Sequence, residues 1–281
     1  MKILVTGGGG MLGIDVQRAA QKAGHDAVAL TRAQLDITDR TAVTDAIARA
    51  DADAVINCAA WTNVDGAESE PDQATAVNGA GAGHVAEAAA GAGVWVIHVS
   101  TDYVFSGDKP SPYVESDASA PVSAYGRSKL EGERAVAAAA PGRHTIVRTA
   151  WLFGAGGRCF PKTILRAASE RPELSVVADQ IGCPTFTGHL AEALVALAAE
   201  PTEGVLHVAG GGQCSWHEFA VAIVAAGGLD CPVRAISSDE HPTPARRPAN
   251  SMLISERGAP ALPDWSEGLK QFMSELAEVR V

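Results

Sequence analysis

The chain predicts an α/β fold, a doubly wound parallel sheet, on three observations. Short apolar runs alternate with stretches of helical periodicity through the first 150 residues. The first run, Ile3-Leu4-Val5, passes straight into a glycine-rich turn that opens a helix. The fourth, Val94-Trp95-Val96-Ile97-His98-Val99, is apolar enough to lie buried inside a parallel sheet. Strands that alternate with helices imply right-handed crossovers and helices on both faces of the sheet, a Rossmann-type arrangement.

In order along the chain, Ile3–Val5 is the first strand and ends at Thr6. After the turn, Leu12, Val16, Ala19, Ala20 and Ala23 recur at helical spacing, and Gly24 closes that helix. Ala27–Leu30 reads as strand two, and residues 39–50 as a helix capped by Asp39. Ala54–Asn57 is strand three, followed by a helix over 71–90 and then strand four. Thr145–Arg148 is a further strand after a helix that carries Tyr125 and Lys129. Beyond about residue 151 the alternation loosens. Helices are expected over 160–169, over 189–199 and from near Ser215, with strands at 174–177 and 205–208. Pro242, Pro244 and Pro248 favour an extended loop over 241–250. A chain of 281 residues can hold two modest domains. The expected division is a nucleotide-binding Rossmann domain over 1–150 and a smaller, mainly substrate-binding α/β domain over 151–281. Segments at about 187–225 are expected to return and pack on the first domain.

Composition excludes several classes. The net charge is −11 and no lysine- or arginine-rich run occurs, which argues against nucleic acid as a partner. Arginines outnumber lysines 16 to 6, so a few guanidinium groups gathered locally would still serve an anionic small molecule. The five cysteines stand apart with no C-x-x-C, as free thiols in a reducing compartment do, and no histidine–cysteine spacing suggests a metal. No charged leader, long apolar span or lipidation signal is read, so a cytoplasmic protein without a membrane partner is expected.

The glycine turn is Thr6-Gly7-x-x-Gly10-x-x-Gly13 between a strand and a helix, the context of a dinucleotide fingerprint. Gly7, Gly10, Met11, Leu12 and Gly13 would bring backbone amides and a positive helix end to a pyrophosphate. An acid at the end of strand two would bind the free ribose of NAD. Thr31 and Arg32 stand there instead and suit a 2′-phosphate, so NADPH is the expected cofactor and NADH the alternative. Asp36 and Ile37 would border the adenine. Cys58, Ala59 and Ala60, small residues at the end of strand three, leave room for the cofactor to cross the sheet edge. Strand four ends at Thr101, whose hydroxyl can hydrogen-bond a carbonyl being reduced. Of three tyrosines, Tyr125 alone is followed four residues on by a lysine, Lys129. Positions four apart share a helix face about 6 Å apart along the axis. An ammonium there would lower the tyrosine's pKa and make it a proton donor to a carbonyl or alcohol.

Taken together, these residues resemble the extended short-chain dehydrogenase/reductases, and within them the dTDP-4-dehydrorhamnose reductases. The matching segments are Ser100-Thr101-Asp102-Tyr103-Val104-Phe105, Pro112-Tyr113-x-Glu115 and Tyr125-Gly126-x-Ser128-Lys129-Leu130-x-Gly132-Glu133. They continue with Arg148-Thr149-Ala150-Trp151, Asp179-Gln180-x-Gly182-x-Pro184-Thr185 and Arg246-Arg247-Pro248-x-Asn250-Ser251. The resemblance implies that hydride reaches the C4 keto carbon of a dTDP-4-keto-6-deoxyhexose, that Tyr125 protonates the alkoxide, that Lys129 holds the nicotinamide ribose, and that Thr101 positions the carbonyl. By the same resemblance Asp102 and Trp151 would contact the sugar, Arg247 and Asn250 the nucleotide–pyrophosphate part, and the chain could pair as a homodimer. Cys159 stands where the family often has asparagine, Phe153 where tyrosine is frequent, and Ser106 where aspartate is common. Competing readings are a related nucleotide-sugar dehydratase or epimerase and a non-catalytic cofactor-binding subunit. A dehydratase usually carries Thr-Asp-Glu, and Tyr103 occupies the glutamate place.

Overall fold

A six-stranded, wholly parallel sheet runs through the first half of the chain and recruits its last strand from the second. The computed structural model describes residues 1–279. The strands are β1 (Lys2–Thr6), β2 (Asp26–Leu30), β3 (Ala54–Asn57), β4 (Trp95–Thr101) and β5 (His144–Thr149). Short strands β6 (Leu152–Phe153), β7 (Leu174–Val177), β8 (Ile181–Gly182) and β9 (Thr185–Phe186) precede β10 (Gly204–His207), and β11 (Cys214–Ser215) and β12 (Val233–Ile236) follow it. The order across the large sheet is β10-β5-β4-β3-β1-β2. The chain leaves β1 toward β2 and then returns to β3 on the other side. That reversal opens a crevice at the carboxyl ends of β1 and β3, where doubly wound sheets bind ligands.

Residue alternation explains why helices cover both faces. Ile3, Val5, Ile56, Ile97 and Val147 point to one face and pack with Leu12 and Val16 of α1 (Met11–Lys22) and with Leu190 and Leu194 of α8 (Thr187–Ala199). Leu4, Val55, Val96 and Ile146 point to the other, against α2 (Arg40–Ala50), α5 (Ala82–Gly91) and α6 (Ala124–Ala139). Strands buried on both faces must be apolar throughout, which accounts for the run in β4.

A second, smaller core lies beyond residue 150. Phe153, Phe219, Leu269 and Phe272 bring together α7 (Phe160–Glu170), α9 (Trp216–Ala226) and α10 (Trp265–Val279). The strand expected at 174–177 is β7, paired in parallel with β12 rather than with the large sheet. The strand expected at 205–208 is β10, which joins the large sheet beside β5.

The helix expected over 71–90 is three consecutive segments: α4 (Pro71–Thr75), a π-helical stretch (Ala76–Gly81) and α5. Its cause is Asn78, 1% exposed, whose amide accepts from the Trp61 N–H and donates to the Trp61 carbonyl and to Ser128 on α6. A polar side chain turned inward to hold a neighbouring loop displaces the regular ladder, as π-bulges commonly do near functional sites. A short helix α3 (Val64–Ser69), capped by Asn63, lies between that loop and α4.

Candidate active site

The crevice is a cavity of about 1000 Å³ that extends from the glycine turn to the ends of β4 and β5 and on to α9. Gly7 has a φ of 68°, and a Cβ there would stand 2.7 Å from the Ala59 nitrogen, so only glycine lets the turn pass the end of β3. Gly10, the N-cap of α1, brings no side-chain cap, and the first turn carries no acid. The helix end therefore keeps its amides and its positive field for an anion. Gly7, Gly10, Met11, Leu12 and Gly13 all line the cavity, as do Thr31, Arg32, Asp36, Ile37, Cys58, Ala59 and Ala60. The residues present thus fit a dinucleotide along the crevice. Arg32 is largely exposed and makes only a 4.0 Å contact with Asp36. The Asp36 carboxylate is already taken by the amide and hydroxyl of Thr38, which hold it below the usual carboxylate range.

Thr101, Asp102, Tyr125, Lys129 and Trp151 also line the cavity. Ser123 caps α6 by accepting from the Gly126 N–H at 3.1 Å, which places Tyr125 in the first turn. A Cβ on Gly126 would stand 2.1 Å from the Tyr103 carbonyl, so the glycine lets α6 seat on the end of β4. Tyr103 packs edge-on to Tyr125 with centroids 5.6 Å apart. Asp102 is 2% exposed, its Oδ2 lacks a hydrogen-bond partner, and burial pushes its carboxyl up to about 6.

The structure corrects the expected electrostatics of the pair. Burial pushes Tyr125 up to about 12, with the Thr101 hydroxyl opposing and Asp102 adding to the rise. Among the described residues the Lys129 Nζ makes no hydrogen bond to the phenol. It donates to the Val99 carbonyl at 2.7 Å and lies 3.3 Å from His98 Nε2. Burial lowers the ammonium to about 8, against the pull of Glu133 and Cys58. Because the folded state releases this proton more readily than the unfolded chain, Lys129 weakens folding below about pH 8 and ceases to do so by about pH 10.5. Lys129→Met is therefore expected to gain stability relative to the parent at pH 7, with the gain shrinking as pH rises through that window. Urea midpoints at pH 7 and pH 10 measure it, and a constant difference would refute it.

Two of the residues expected at the substrate do not line the cavity. Arg247 is not in the cavity wall. Its guanidinium pairs with Asp65 of α3 at 2.9 and 3.2 Å, donates to Thr243 and Ala245, and interacts with Tyr103, which does line the cavity. Asn250 donates to the carbonyls of Lys109 and Ser111 and accepts from the Met252 N–H, so its amide clamps two loops together. Cys159 also faces inward, its thiol donating to the Gly154 carbonyl.

Trp151 is joined in the wall by residues that have no local signature. Trp151 has a φ of 48°, unusual for a bulky residue. Its ring stacks on Trp216 at 3.5 Å and 4°, and its Nε1 donates to Ser251 at 3.1 Å. Trp216, Phe160 and Arg158 join the wall from the second half of the chain, and Trp61 from the loop after β3. Only the Ser215-x-x-Glu218 capping box hints at this, by setting Trp216 in the first turn of α9.

An open doubly wound sheet with a glycine-rich crevice, and a Thr–Tyr–Lys set at its edge, define the class: a short-chain dehydrogenase/reductase of the extended type. The family model described as RmlD substrate binding domain matches residues 1–278. A dTDP-4-dehydrorhamnose reductase of Sinorhizobium fredii is 42% identical, covering 97% of this chain and 97% of that protein. One of Mycolicibacterium smegmatis is 46% identical, covering 96% and 84%. The crystal structure of the Bacillus anthracis dTDP-4-dehydrorhamnose reductase in complex with NADP matches with a TM-score of 0.94 and 37% identity over 98% of this chain and 99% of that one. The chain belongs to the dTDP-4-dehydrorhamnose reductase family.

Proposed function

We propose that the protein reduces the C4 keto group of a dTDP-4-keto-6-deoxyhexose with NADPH, converting dTDP-4-dehydro-L-rhamnose to dTDP-L-rhamnose. The observation that carries this reading is the single cavity that joins the glycine turn to Thr101, Tyr125 and Lys129, in a chain alike over nearly its whole length to dTDP-4-dehydrorhamnose reductases. When bound, the dinucleotide supplies hydride to C4. The chain's own residues do the rest. The α1 amides and Arg32 hold its phosphates. Thr101 hydrogen-bonds the carbonyl oxygen, and Tyr125 gives that oxygen its proton. Lys129 holds the nicotinamide ribose and favours the tyrosinate that remains. Asp102 and the Trp151–Trp216 wall orient the sugar. Five free thiols and the use of NADPH suit a reducing, cytoplasmic setting.

Consumption of NADPH with freshly made dTDP-4-dehydro-L-rhamnose, and formation of dTDP-L-rhamnose, test the proposal. No turnover with this or any related 4-keto sugar would refute it. Cofactor choice has its own test. A charge-assisted hydrogen bond contributes about 1.5–3 kcal/mol, roughly 10- to 100-fold in kcat/KM. Arg32→Ser is expected to lose that factor with NADPH and little with NADH. Equal losses with both cofactors would remove Arg32 from 2′-phosphate recognition.

A further inference from the structure

Behind the cavity wall a chain of polar side chains runs from β1 to Lys129 through the middle of the sheet. Thr6, Asn57, His98 and Lys129 are 1%, 1%, 0% and 2% exposed. Thr6 Oγ1 donates to Asn57 Oδ1 at 2.6 Å, and the Ala59 N–H donates to the same oxygen at 3.2 Å. A backbone N–H can only donate, so Oδ1 faces Thr6 and Ala59 and the amide orientation of Asn57 is fixed. Its NH₂ group then faces His98 Nδ1 at 3.1 Å. That nitrogen must accept, which leaves the imidazole proton on Nε2, 3.3 Å from Lys129 Nζ. Two N–H groups cannot bond each other. Either the lysine is an amine that accepts from Nε2–H, or its ammonium turns away from the ring.

We propose that His98 is a positioning residue for Lys129: held by Asn57 with its proton on Nε2, it donates to the neutral amine and directs the ammonium, when one forms, off β4 and into the cavity. This rests on the assignment of Lys129 to the reaction. Burial keeps His98 neutral, well below its usual range, and the Lys129 charge pushes in the same direction. The other groups acting on Lys129 are Glu133 on its own helix and Cys58 after β3, with Arg148 on β5 paired to Glu133 and Tyr125 lining the same cavity. Glu133 and Cys58 favour the ammonium, so His98 is the side chain whose hydrogen bond favours the amine. Protonation of Lys129 and its movement toward a bound ribose thereby become one event.

Two measurements decide the matter. In ligand-free protein labelled with ¹⁵N-histidine, long-range ¹H–¹⁵N correlations should show His98 as the Nε2–H tautomer at neutral pH, with its signals identified by their loss in His98→Gln. An Nδ1–H tautomer or an imidazolium would overturn the proposal. In His98→Phe, which cannot oppose an ammonium in this way, Lys129 should titrate higher by roughly half to one pH unit, the effect of one neutral hydrogen bond, whereas the His98→Gln amide can present the same donor and should leave the titration near the parent's. In His98→Phe the high-pH limb of kcat/KM should move up with the titration, and ¹³Cε shifts of Lys129 report the same change without turnover. A His98 that served only packing would lower kcat at every pH and leave the limb in place. A limb that moved down would mean that His98 accepts from the ammonium; either result overturns the proposal. Should no 4-keto sugar be reduced, the reductase assignment fails, while the tautomer and the Lys129 titration still decide this inference.

Discussion

Replacing Tyr125 by phenylalanine is expected to lower kcat by ~10²–10⁴-fold, the usual contribution of a positioned general acid, while NADPH binding changes by no more than about twofold. The ring would remain against Tyr103, so the wall keeps its shape and only the hydroxyl is lost. Reduction of a ketone requires the acid to hold its proton beforehand. Burial, which pushes Tyr125 up to about 12, secures that at neutral pH. In the ligand-free protein burial, not the lysine, dominates the protonation of the phenol. The low value near 8 belongs to Lys129, so the fall in activity at high pH should follow the lysine. Steady-state NADPH oxidation together with titration of cofactor fluorescence checks the prediction. A Tyr125→Phe enzyme that turned over at the parent's rate would remove Tyr125 from the acid role.

What the sequence made legible is what depends on neighbours along the chain. The glycine turn, the hydroxyl at the end of β4 and the Tyr125–Lys129 spacing are local patterns with local geometric causes. They fixed the crevice, the cofactor side of the cavity and the likeness to a family. What escaped depends on partners far apart in sequence. The resemblance implies ligand contacts for Asn250 and Arg247, yet neither lines the cavity. Nothing local announces that carbonyls at Lys109 and Ser111 saturate the first, or that Asp65 engages the second. Helical spacing points the Lys129 ammonium at Tyr125, because it reports only the shared face. The Val99 carbonyl and His98 sit on a strand behind that face. The π-helical stretch escaped for a similar reason: Asn78 has no visible cause for turning inward until Trp61 and Ser128 are beside it.

Arg148→Leu is expected to cost about 3–5 kcal/mol of folding stability, because it would strand a buried carboxylate. Glu133 and Arg148 are 4% and 5% exposed and bonded through both oxygens, Nε to Oε1 at 2.9 Å and Nη2 to Oε2 at 2.7 Å. Ser100 donates to Oε1 at 2.6 Å, Ser119 accepts from Nη2, and the guanidinium lies 5.0 Å from the centre of the Phe105 ring. Desolvating two charges is expensive, so the intact pair need not stabilise the fold much, whereas half a pair is a severe defect. The double variant Glu133→Leu/Arg148→Leu should therefore recover more than half of the single variant's loss, as urea unfolding of the three proteins would show. Equal instability of single and double variants would mean that packing around Phe105, not the stranded charge, sets the cost. The pair also bears on the reaction. Ser100 precedes Thr101 on β4, and Glu133 is one of two groups that raise the proton affinity of Lys129. A double variant that regains its fold should accordingly retain a defect in turnover, with its high-pH limb moved down, since the carboxylate that favours the ammonium is gone.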